Sequence, residues 1–199
     1  EGGVGWACGL YGDLIGHWNK RNPTALDEVN PANLNHELLV DLVQRYGSPN
    51  VVDKIDQVRD SIGRGLLTDK PDELDDFAAC QIERSEDIRD LFVSNFYFGC
   101  EADDPVNAWA FNQKVNPFGA KLNAVFGSDI GHFDVPNMTD VLGEAYEGVE
   151  DGVISEENFR DFVFANPIGL WTSMNPDFFT GTAVEGQVQK FLADGNGTA

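Results

Sequence analysis

The chain has 199 residues, 34 acidic and 13 basic, for a formal charge of -21. Such a surface repels nucleic acid and anionic lipid, so neither is expected as a partner, and the acid excess reads as solubility or adaptation to a salty environment. A hydrophobic fraction of 42% with 14 Phe, 4 Trp and 4 Tyr excludes a disordered chain.

Cys8, Cys80 and Cys100 are odd in number and form no CxxC, a pattern of reduced thiols that points to the cytoplasm. No apolar run approaches the roughly 18 residues of a membrane span, and no signal peptide is visible. The opening Glu1-Gly2-Gly3-Val4-Gly5-Trp6 lacks an initiator Met and reads as the end of a strand that starts upstream, so a fragment is expected.

From Trp6 to Trp18, the apolar positions Trp6, Leu10, Leu14, Ile15 and Trp18 recur at helical spacing. Gly9, Gly12 and Gly16 either weaken this helix or let it pack closely, and Asn22-Pro23 ends it. Residues 33–46 carry Leu34, Leu38, Leu39, Leu42, Val43 and Tyr46, a second amphipathic helix stopped by Gly47 and Pro49. The stretch 50–92 is charged and mostly helical, punctuated by Gly63 and Pro71. His17 and His36 fall on helices among apolar neighbours and read as packing residues.

Two strands follow. Residues 95–101 form an aromatic run ending in Gly99-Cys100-Glu101, and 122–127 form the other. Between them 105–114 reads as a helix opened by Pro105, with Val106, Trp109 and Ala110 on one face. A strand–helix–strand order with roughly 20 intervening residues predicts a parallel pair. Val141, Leu142, Ala145 and Val149 mark the next helix. Ser155-Glu156-Glu157 opens another with an N-cap hydroxyl and acids at its positive end, and Asn166-Pro167 is expected to stop it. No linker divides the chain, so 1–175 is expected as one domain and 176–199 as a peripheral tail.

The chemistry concentrates in Gly127-Ser128-Asp129-Ile130-Gly131-His132-Phe133-Asp134. A carboxylate just past the end of a parallel strand can ligate a divalent cation or take a proton from metal-bound water. Equally, Asp129 can simply cap its loop through backbone amides. His132 can bind metal or substrate with Asp134 fixing its tautomer, or be an ordinary hydrogen-bonded loop histidine. Glu1 and Glu101 sit beside strand-end glycines and can converge on the same rim; a solvent-facing turn beside Asp103 and Asp104 is the other reading for Glu101. With no HxH, HExxH or paired Cys, the chain does not by itself supply an ordinary transition-metal site of three or four ligands.

In their order, several segments resemble the C-terminal part of amidohydrolase-related proteins, in the metal-dependent branch that includes the aminocarboxymuconate-semialdehyde decarboxylase type. They are Glu1-Gly2-Gly3-Val4-Gly5-Trp6, Phe96-Tyr97-Phe98-Gly99, Val125-Phe126-Gly127-Ser128-Asp129, and the helix through Phe162, Phe164, Asn166-Pro167 and Leu170-Trp171. The resemblance implies an α/β fold: a helix-rich, partial (β/α)₈ TIM barrel in which 1–5, 95–100 and 122–127 end or form strands six, seven and eight. It implies a divalent metal, zinc first, with Asp129 as the strand-eight ligand and Glu1 standing where a His-Gly-Gly histidine is often found.

The function so implied is that of the C-terminal portion of a metal-dependent hydrolase or non-oxidative decarboxylase. Asp129 and His132 would be catalytic, with Trp6, Glu101 and Asp134 against a small-molecule substrate. A non-catalytic, barrel-derived binding or assembly domain is the other reading. Unpaired sheet edges in so partial a barrel point to homo-oligomerisation.

Overall fold

The structure, a computed structural model, describes residues 2–27, 29–30, 33–65 and 77–196; Glu1 and Pro71 fall outside these. The chain divides into two compact units, residues 1–15 with 86–199, and residues 16–85. Among the described residues, no helix is long and apolar enough to cross a membrane.

Helix α1 (Gly5–Arg21) begins in the first unit. Val4, Ala7, Tyr11, Ile15 and Trp18 are buried, so Ile15 and Trp18 lie inward as expected, whereas Trp6 and Leu10 are exposed. The approach is close at the helix start, where a Cβ on Gly5 would lie 2.5 Å from Val106 Cγ1. Gly9, Gly12 and Gly16 have open space around them and let nothing in closely.

The second unit holds the end of α1, α2 (Pro23–Asp27), α3 (His36–Tyr46), α4 (Pro49–Val52) and α5 (Ile55–Gly65). Asn35 caps α3, its side chain accepting from Leu38 N at 2.9 Å. Val40 is buried as α3 packs on α5, whereas Leu34, Leu38, Leu42 and Tyr46 face outward. Trp18 meets Phe77 edge-on at 5.1 Å, and His17 tilts on the same ring at 5.8 Å.

In the first unit, α6 (Ser85–Asn95) leads into β1 (Tyr97–Glu101), which pairs with β2 (Asn123–Gly127). The pair is parallel, in register from Tyr97 opposite Asn123 to Glu101 opposite Gly127, as the spacing predicts. Phe98, Cys100 and Ala124 are buried on it. The segment before α1 runs beside β1, Gly3 N donating to Gly99 O at 3.1 Å. The described structure is thus helix-rich α/β with a two-stranded parallel sheet.

The crossover differs from the expected helix. Pro105–Phe111 is wound as a 3₁₀ segment, capped by Asp104, whose side chain accepts from Val106 N at 2.9 Å. Buried Asn116 then draws three carbonyls together, donating Nδ2 to Trp109 O at 2.9 Å, Ala110 O at 3.3 Å and Ala120 O at 3.2 Å. Carbonyls held this way are not offered to a continuing α-helix.

After the 128–140 loop come α7 (Val141–Glu150) and α8 (Glu156–Arg160), the latter capped as expected by Ser155, which accepts from Asn158 N at 3.1 Å. Asn166-Pro167 does not stop this helix. Residues Asp161–Ala165 open into a π-turn, with Asn166 N bonded to Asp161 O, and α9 (Asn166–Met174) continues through the proline. The wider turn makes room for a residue that lacks N–H and would otherwise clash with the preceding turn. Nor is the tail merely peripheral: α10 (Glu185–Phe191) buries Val188 and Phe191 against Ile168.

Phe162 is 1% exposed and meets Phe126 at 5.9 Å and Phe111 at 6.5 Å, joining helix, sheet and crossover. Phe162→Ala is expected to cost about 3–5 kcal/mol, read as a lower midpoint in urea denaturation.

Candidate functional site

β2 ends at Gly127, and the chain turns sharply through the next few residues. Asp129 adopts a left-handed backbone (φ 48°) and Gly131 another positive φ (103°). Aspartate tolerates this conformation better than most L-residues, because its short polar side chain can bond locally. His132 N closes the turn on Asp129 O at 3.1 Å, and Ile130 N reaches Ser128 Oγ at 3.4 Å.

The turn brings three of the expected residues together. His132 Nδ1 lies 2.8 Å from Asp134 Oδ1 and 3.3 Å from Asp129 Oδ2. The side chain of Asp129 is 26% exposed, those of His132 and Asp134 about 60%. The bond from His132 holds the Asp134 carboxyl below the usual aspartate range, with a backbone hydrogen bond adding to the effect. An ionised carboxylate only accepts, so Nδ1 carries the hydrogen, and in the neutral ring the lone pair sits on Nε2. Asp134 therefore orients the imidazole, and Asp129 shares the same donor.

One imidazole nitrogen and two carboxylate oxygens lie within 4.8 Å of one another here, the single such group among the described residues. A nitrogen–oxygen–oxygen donor set with open positions suits a first-row divalent ion of the catalytic kind. The donors fit a metal on one condition: ligation through Nδ1 requires its proton to leave.

The remaining expected residues lie apart from this group. Trp6 is exposed, its Nε1 donating to Gly2 O at 3.1 Å and its ring edge-on to Phe98 at 5.8 Å, so its hydrogen-bond and ring partners are on the β1 side. Glu101 ends β1 opposite Gly127, on the same rim as the loop, with an exposed carboxylate that no described residue bonds. Glu1 falls outside the described residues. The three thiols are free; burial pushes Cys100 up to about 12, with nearby Asp104 adding to it, and burial also raises Cys8. Neither is a nucleophile at neutral pH.

A cleft of about 670 Å³ opens at the amino ends of the strands, against Tyr97, Asn123 and Lys121. Lys121 is tied there to Asp161 Oδ2 at 3.1 Å and Glu157 Oε1 at 3.2 Å. Sequence reasoning passed over these groups, and over Asn107, Asn123 and Asn166, which brace the sheet ends by side-chain bonds to Glu101 O, to Val93 O and Phe96 O, and to Ala124 O. No local pattern marks such contacts, because which carbonyl each amide meets is set only once the sheet and crossover are folded. Compared with protein-family models, curated proteins and solved structures, the chain matches none.

In an NMR carboxyl titration, Asp134 is expected to titrate below an ordinary aspartate, and His132→Ala to move it up. Because the folded-state value is depressed, the bond contributes above the ordinary carboxylate pKa and is lost as pH falls through the depressed one. An unshifted Asp134 in the variant would show that the His132 bond is not formed.

Proposed function

We propose that the chain supplies the last strands and helices of a (β/α)₈ barrel in a metal-dependent, amidohydrolase-type enzyme. Its substrate is a small carboxylated molecule, cut at a C–N or C–O bond or decarboxylated without oxidation. The observation that carries this reading is a parallel strand pair whose second member leads directly into an Asp–His–Asp group with metal-ligand spacing. The carboxyl ends of parallel strands are where α/β enzymes keep their chemistry. Gly3 lying beside β1 supports the strand order that the barrel requires.

Asp129 and His132, with Asp134 as a third donor, are the residues that would hold the divalent ion. Bound there, a zinc-like ion polarises a carbonyl or carboxylate oxygen and lowers the pKa of its water. The chain's own groups do the rest. Asp129, the least exposed of the three, takes a proton at Oδ2. With the ion held on Nδ1, the neutral His132 ring would carry its hydrogen on Nε2 and could pass it to substrate there, with Asp134 as the ligand beside it. Glu101, on the same rim, meets a polar group of the substrate from the neighbouring strand.

In the enzyme that contains this chain, Asp129→Asn is expected to lower turnover by about 10²–10⁴-fold. Metal content by elemental analysis should fall in parallel, with circular dichroism and melting unchanged. Unaltered turnover and metal content in that variant would remove the assignment.

A further inference from the structure

A second cleft, of about 210 Å³, lies where the turn after β1 faces α7. Asp103 and Asp104 form one side of it. Glu144, Glu147 and Asp151 form the other, spaced three and four residues apart so that α7 and the residue just past it present them together. No Lys, Arg or His contributes to its wall.

Asn107 also lines this cleft and is 4% exposed. Its Nδ2 donates to Glu101 O at 2.7 Å, which fixes which way the amide points. Its Oδ1 is buried with no hydrogen-bond partner. An orphaned buried acceptor is rare and costly in a native fold, and it asks for a donor.

We propose that this cleft binds a small organic cation, an ammonium or guanidinium compound with a short alkyl body. The five carboxylates and the unpartnered Asn107 Oδ1 are acceptors, so the side chains of the cleft select a ligand that donates hydrogen bonds and carries positive charge. These carboxylates do not converge on a point: the one group among the described residues with metal-ligand spacing is Asp129, His132 and Asp134. A bare metal ion is therefore less well served than a molecule long enough to span separated acids. Ile154 and Phe162 supply apolar wall for its methylenes. The proposal stands whether or not Asp129 is catalytic.

The test is isothermal titration calorimetry on the whole chain at constant ionic strength, with 1,4-diaminobutane, butylamine and calcium chloride as probes. The diamine is expected to bind saturably with one site, more tightly than either comparison cation. Glu144→Gln with Glu147→Gln should weaken it by about tenfold or more. Asp41→Asn with Asp53→Asn removes the same charge in the other compact unit and should leave it unchanged. Asn107→Leu should weaken binding as well; the Gln pair, on the cleft's rim, keeps the test decisive if that variant does not fold. Absence of saturable heat, equal weakening by both charge-matched pairs, or calcium binding that the diamine does not displace would each overturn the proposal.

Discussion

The parallel register of β1 and β2 is the constraint from which the rest of the first unit follows. Parallel strands cannot be joined by a tight turn, so the chain must leave one end of the sheet and re-enter at the other. That return obliges both carboxyl ends to share a rim. Glu101 stands opposite Gly127, and Asp129 follows two residues later. The acidic turn after β1 and the Asp–His–Asp loop after β2 are therefore neighbours in topology although separated by the whole crossover. Lys121 enters β2 from the opposite end, tied to Asp161 and Glu157.

The strands were legible in the sequence because each is a short run of apolar residues bounded by turn residues, an acidic turn after β1 and Gly127-Ser128 after β2, with a crossover of suitable length between. The cap at Ser155 was legible for an equally local reason. The π-turn at 161–165 was not, since Asn-Pro in a helix reads as a stop unless the preceding turn widens, and only packing on both sides of it holds that turn open. Phe162 binds one flank to the sheet, and Ile168 binds the other to α10. The inward face of α1 was legible at Ile15 and Trp18 but not at its start, where Val4, Ala7 and Tyr11 are buried instead of Trp6 and Leu10. At that start Gly5 lies close to Val106, and Trp6 is exposed.

Of the candidate site, the part written within one loop could be read and the part assembled from distant segments could not. Asp129, His132 and Asp134 fall within six consecutive residues, and a single left-handed turn suffices to gather them. Trp6 and Glu101 depend on how strands and helices are placed, and there the sequence pattern carries no distance. Asn107 was invisible for the same reason: its meaning lies in an unpaired oxygen that exists only once the crossover is folded.

Four asparagines, Asn107, Asn116, Asn123 and Asn166, fasten the sheet and crossover through neutral amide donors to backbone carbonyls. Loss of the amide nitrogen by spontaneous hydrolysis would turn each fastening into a carboxylate facing an oxygen, so the fold carries a chemical lifetime as well as a thermodynamic one. The usual route begins when the following backbone nitrogen attacks the side chain. Asn116 and Asn166 are each followed by proline, whose nitrogen bears no hydrogen and is a poor entrant to that route. Among these four, the loss is therefore expected at Asn107 or Asn123, at the two ends of the sheet, before it reaches the two that precede proline.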